Sequence, residues 1–142
     1  MINIVIPVEP VAQGRPKFAR IGRAVRAYDP AKSRAYKTLV ARYARQQYAG
    51  PPLGGALNLQ VTFYRPIQTS GSKRLKHDKV VGAVLPTVKP DLDNYFKAVT
   101  DALKGIIWVD DNQITDVAMR KRYSFTPRVV IQIEETKHGG IN

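Results

Sequence analysis

Residues 56 to 65, ALNLQVTFYR, alternate without a break: Leu57, Leu59, Val61 and Phe63 face one way, Asn58, Gln60, Thr62 and Tyr64 the other. An extended chain sends successive side chains to opposite faces, so this segment is a strand with one dry face and one wet face. A sheet built on it needs an amphipathic cover on one side. Two segments qualify. Tyr36, Leu39, Val40, Tyr43 and Ala44 recur at helical spacing after Asp29-Pro30, an N-cap acceptor followed by a proline, and that helix runs to about Tyr48 before GPPLGG. Leu92, Phe96, Val99 and Leu103 form a second stripe, opened by a cap at Asp93 or Asn94 and closed by Gly105. Residues 2 to 8, INIVIPV, read as a first strand; 114 to 124 and 127 to 134 read as the last two, joined near Thr126-Pro127. The order β-α-β-α-β-β predicts a small α+β fold with helices packed on a mixed or antiparallel sheet. A single domain over residues 1 to 135 with a flexible C-terminal tail at 136 to 142 accommodates the whole chain.

The connecting segments are basic. VAQGRPKFARIGRAVRAYDP carries Arg15, Lys17, Arg20, Arg23 and Arg26 and has no sustained period, which predicts a long basic loop or irregular hairpin. From Pro66 to Pro86 the pattern lapses into Ser, Gly and a second basic cluster, Lys73, Arg74, Lys76 and Lys79, read as a loop or lid. The net charge of +12 and pI near 10.2 attract polyanions at long range, nucleic acid first among them. A membrane surface fits less well, because no broad apolar face accompanies the charge and no run approaches the roughly 20 apolar residues of a span. With no cysteine the chain has no disulfide, no thiol nucleophile and no Cys-type zinc site. A cytoplasmic location follows as the expectation.

Against that background the acids are unevenly placed. Asp91, Asp93, Asp101, Asp110, Asp111 and Asp116 fall in KPDLDNYFKAVTDALKGIIWVDDNQITD, whereas residues 1 to 90 hold only Glu9, Asp29 and Asp78 against sixteen Lys and Arg. Crowded carboxylates repel one another, and a cation relieves that. Asp91 and Asp93, two apart after Pro90, can present their carboxylates to one point. A helix from 93 to 104 is about 18 Å long, so Asp110 or Asp111 rejoins them only if residues 106 to 110 run back extended. If they converge, hard oxygen ligands suit Mg²⁺ or Mn²⁺, which would activate water for attack on a phosphate. Lys97, one turn beyond Asp93, would stabilise charge on that phosphate, and Asp101, a turn further, would orient Lys97.

Each feature also has a bland reading. Asp93 serves as a plain helix cap, Asp110-Asp111 as a polar turn, and Lys97 with Asp101 as a surface i,i+4 pair worth a few tenths of a kcal/mol. Asp116 reads as a solvated strand residue. His77 and His138 have no nucleophile pattern beside them, and neither GxxxxGK nor HExxH occurs.

The run KPDLDNYFKAVTDALKG with VDDNQI, together with PVAQGRPKFAR and YDPAKSRAYK, resembles the RusA-type endodeoxyribonucleases. The resemblance implies a homodimeric, Mg²⁺-dependent endonuclease that nicks four-way (Holliday) junctions symmetrically in recombination and repair, encoded by a bacterium or a prophage. It implies Asp91, Asp93 and Asp111 as the catalytic, metal-binding aspartates and Lys97 as the catalytic lysine; beside them, Asp101 and Asp110 are the candidate supporting acids. Arg15, Lys17, Arg20, Arg23, Arg26, Lys73, Arg74 and Lys76 are the candidate contacts to branched double-stranded DNA, and no small-molecule cofactor is expected. Two other readings stand beside it: a branched-DNA-binding protein that does not cut, and a metal-dependent nuclease for flaps or RNA.

Overall fold

The computed structural model describes residues 1–136. Four strands form one sheet, β1 (Ile2–Ile6), β4 (Ala56–Pro66), β5 (Ile114–Ser124) and β6 (Arg128–Thr136), in the order β1-β6-β4-β5. β6 pairs antiparallel with both β1 and β4, while β4 and β5 are parallel. A parallel pair needs a long crossover, and this one spans residues 67 to 113, the stretch that holds most of the acids. The expected α+β class and six-element order are met. Thr136, assigned to the tail from the sequence, is the last residue of β6 and pairs with Ala56; residues 137–142, including His138, lie outside the described residues.

The alternation in β4 does what it implied. Leu57, Leu59, Val61 and Phe63 are buried, as are Val129, Ile131 and Ile133 of β6 and Ile4 and Ile6 of β1. Helices α1 (Ala31–Gln47) and α3 (Leu92–Leu103) cover this face and pack on each other. Tyr36, Val40 and Ala44 point inward from α1, and Tyr95, Ala98, Val99, Ala102 and Leu103 from α3. The rings of Phe63 and Tyr95 stack with centroids 5.1 Å apart, fixing α3 on the sheet. Removing a buried Leu or Phe side chain here would cost about 2–5 kcal/mol.

The structure refines three boundaries. α1 begins after Pro30, which occupies its N-cap, and Asp29 bonds elsewhere. α3 begins at Leu92 with Asp91 as its N-cap, two residues before the expected start, and Gly105 (φ +83°) follows its end as expected. The segment read as a loop over 66 to 86 contains a short helix, α2 (Lys73–Val80), capped by Ser72, whose side chain accepts from the Leu75 N–H. None of its residues is buried, so it carries no apolar stripe for periodicity to reveal.

The arginine-rich segment is a hairpin, β2 (Lys17–Ile21) and β3 (Ala24–Tyr28), forming a separate two-stranded sheet. Gly22 takes φ +61° in its two-residue turn, a conformation glycine adopts without strain.

Candidate active site

The site begins where the crossover enters α3. Arg65 at the end of β4 donates to the Lys89 carbonyl at 2.6 Å and to the Tyr95 hydroxyl at 3.0 Å. Lys121 of β5 donates to the carbonyls of Val88 and Pro90 at 2.9 and 3.0 Å. Two cations from neighbouring strands thus pin the backbone on which Asp91 rides. Asp91 occupies the N-cap without using its side chain to cap the helix, and Asp93 lies in the first turn. Both are exposed, and neither carboxylate has a hydrogen bond or ion pair among the described residues. The positive end of the helix dipole lies beneath them. Beside Asp91 opens a cleft of about 430 Å³ lined by Gln13, Arg15, Lys89 and Asn94, so two cations stand next to an uncommitted carboxylate.

Asp110 and Asp111 sit at the opposite end of α3. Asp110 caps the 3₁₀ turn Asp111–Gln113 in a reciprocal box with Gln113, and its carboxylate lies 3.9 Å from the ammonium of Lys104, the C-cap of α3. Asp111 accepts the Trp108 indole N–H at 2.7 Å. Gln113 donates to the carbonyls of Leu53 and Gly55, both at 2.9 Å, locking the turn to the loop before β4. Residues 106 to 110 do not run back extended: the Ile106 and Ile107 N–H groups bond to Leu103, and the Gly105 N–H to Trp108. That compact turn buries Ile107 and Trp108 completely. Twelve helical residues, about 18 Å, therefore separate the Asp110-Asp111 turn from the Asp91-Asp93 pair. Among the described residues no three carboxylates or histidines are arranged to hold a metal ion. Asp91 and Asp93 are hard oxygen donors left open to a divalent cation, a class of ion that can take one or two carboxylates and complete its shell with water and phosphate oxygens.

Lys97 and Asp101 join as expected, with Nζ 3.3 Å from Oδ1, and Lys97 remains 64% exposed. A second lysine is also present. Lys37 of α1 donates to the other oxygen of Asp101 at 3.1 Å and to Asp29 at 2.7 Å. The Lys37 hydrogen bond holds the Asp29 carboxyl below its ordinary value despite partial burial. Burial pushes the Lys37 ammonium down, but its bonds to Asp29 and Asp101 outweigh that and hold it above the usual lysine value. Sequence reasoning missed Lys37, because it meets Asp101 only through the packing of α1 on α3. Asp29 was read as a helix cap.

Residues 7–134 match the endodeoxyribonuclease RusA family. This chain belongs to that family. It is also 41% identical over 136 residues to the uncharacterized protein YqaN of Bacillus subtilis (strain 168), covering 94% of this chain and 96% of that protein. Membership in the RusA family implies an endodeoxyribonuclease acting on Holliday junctions, with chemistry that depends in general on a divalent metal.

The basic residues of this RusA-family chain are arranged for a polyanion. Arg15, Lys17, Arg20, Arg23 and Arg26 are all exposed on or beside the β2–β3 hairpin, interleaved with exposed Phe18, Ile21 and Val25. Lys73 and Arg74 are exposed on α2 and Lys76 is half-buried there; Arg74 lies 3.6 Å from Asp78. Asp116 is exposed on the edge strand β5, as a solvated strand residue should be. No helix among the described residues is long and apolar enough to cross a membrane.

Proposed function

We propose that this protein is a Mg²⁺-dependent junction-resolving endonuclease that nicks four-way DNA symmetrically in recombination and repair. It acts as a homodimer on branched double-stranded DNA in the bacterial cytoplasm, encoded by the bacterium or by a prophage. Asp91, Asp93 and Asp111 are its metal ligands, and Lys97 is the cation that meets the attacked phosphate. The observation that carries this reading is that Asp91 and Asp93 are unpartnered among the described residues, with Arg15 and Lys89 lining the cleft beside Asp91. A helix-capping aspartate ordinarily accepts from its own helix; Asp91 does not, which leaves its oxygens for a cation.

A bound Mg²⁺ or Mn²⁺ would supply the activated water and stabilise the leaving oxygen. The chain's own groups hold the phosphate: Arg15 and Lys89 as exposed cations lining the cleft, and Lys97 as a cation held by Asp101. The hairpin and α2 grip the backbone, reading shape rather than bases. Because Asp111 lies at the far end of α3, the metal set is completed by Asp111 of a second copy. This arrangement gives the dimer a catalytic purpose and matches the two-fold symmetry of a junction.

The test is incubation of the purified protein with a four-way junction, a linear duplex, a flap and an RNA duplex, with Mg²⁺ or EDTA. Paired nicks on the junction alone are expected, abolished by EDTA and by Asp91→Asn while binding persists. Binding without cleavage under any divalent ion would instead establish a branched-DNA-binding protein, the reading favoured by the separation of Asp111 from the pair within one chain.

A further inference from the structure

Lys37 has only 16% of its side chain exposed, and two carboxylates face it from different elements, Asp29 after β3 and Asp101 on α3. A simple clamp between α1 and α3 would account for the burial. The division of labour at Asp101 goes further. Its Oδ2 takes Lys37 and its Oδ1 takes Lys97, so the carboxylate is locked in the rotamer that faces Lys97. Alone, an exposed i,i+4 pair is loosely held. With one oxygen anchored to a mostly buried ammonium, Asp101 becomes a fixed rest for Lys97. It also shares its charge with Lys37, so it does not wholly neutralise the lysine that must face a phosphate.

The network continues to the hairpin. Gln13, just before the hairpin, donates its amide to Asp29 at 3.1 Å, and its backbone N–H donates to the Asn94 carbonyl on α3 at 2.9 Å. Gly14 donates to the Ser33 hydroxyl of α1 at 2.9 Å. The two stems of the hairpin are therefore tied to each other and to Lys37 through Asp29, and to α1 and the first turn of α3 through Gly14 and Gln13.

We propose that Lys37 is a positioning residue for Lys97, acting through Asp101, and that it links the stem of the basic hairpin to that lysine. This rests on the nuclease reading of Lys97. Full-length wild type, K37M, K37R, K97M and K37M/K97M are compared in single-turnover junction cleavage, with thermal midpoint and junction affinity measured alongside. K37M is expected to slow cleavage about tenfold where Lys97 is present and less than about twofold where it is Met, with K37R restoring most of the rate. Equal slowing in both backgrounds would overturn the proposal and leave Lys37 a clamp between helices. If the wild type cuts no substrate, the nuclease reading fails by itself, and the Lys97 side-chain ammonium resonance becomes the readout. It should move in K37M and return in K37R; an unmoved resonance refutes the link.

Discussion

The Trp108 indole N–H donates to the Asp111 carboxylate at 2.7 Å, and Trp108 is completely buried. Asp111 therefore has a structural task besides the proposed metal ligation, and substitutions there separate the two. Asp111→Ala leaves a buried donor without a partner and should lower stability by about 1–3 kcal/mol in denaturant unfolding. Asp111→Asn keeps an acceptor for the indole and should stay near wild-type stability while cleavage is lost. Loss of cleavage with unchanged stability in Asn, and of both in Ala, is the expected pattern. Full cleavage by the Asn variant would remove Asp111 from the metal set.

The distance between Asp91 and Asp111 in one chain leads to a complementation experiment. Homodimers of Asp91→Asn and of Asp111→Asn should both be inactive. In a mixed dimer of the two, a site shared between copies leaves one intact set, Asp91 from one subunit with Asp111 from the other. The mixture should therefore nick one strand of the junction without the paired nick. A site held within one chain predicts no recovery at any mixing ratio, so the gel distinguishes the two arrangements directly.

The hairpin forms its own two-stranded sheet, so its arginines can be changed without disturbing the core. Alanine at Arg20, Arg23 or Arg26 should leave stability within about 0.5 kcal/mol of wild type. Each change should flatten the dependence of log affinity on log salt by about 1 if that side chain neutralises one phosphate. The titration is run on a four-way junction by fluorescence anisotropy. An unchanged slope in all three variants would place the DNA elsewhere.

Much of this architecture was legible in the sequence because it rests on short-range rules. Period-2 alternation in β4, the stripe of α3 and Gly105 past its end each depend on neighbours in the chain. What escaped depends on packing. α2 buries no side chain and so left no period to read. From the sequence Ile107 and Trp108 belong to a span that, if extended, carries Asp110 back along α3; folded, they plug the core, and the acids stay at the far end. Asp91 and Asp93 stand out in the sequence because D-x-D is local, but the extended geometry expected across the pair is not found: Asp91 is the N-cap of α3 and Asp93 lies in its first helical turn. The Lys37 bridge, joining residues 64 positions apart, leaves no such local sign.

The same bridge sets the pH response of stability. Asp29 titrates below its ordinary value of 3.8 in the folded protein, so the unfolded chain binds the proton first, and stability is lost as pH falls from 3.8 through the folded value. Lys37 titrates above its ordinary 10.5, so its contribution is complete below 10.5 and is lost as pH rises through the folded value. Between these limits the Asp29–Lys37 contribution should be constant. Lys37→Met removes the alkaline limb attributable to this lysine and takes away the hydrogen bond that does most to hold Asp29 below its ordinary value, so the acid limb shrinks as well. Urea unfolding of wild type and K37M across pH 3 to 11 measures this directly. The difference between the two proteins should be flat in the middle and shrink toward both extremes. A difference that persists undiminished at both ends would show that Lys37 stabilises the fold through its aliphatic packing rather than its charge.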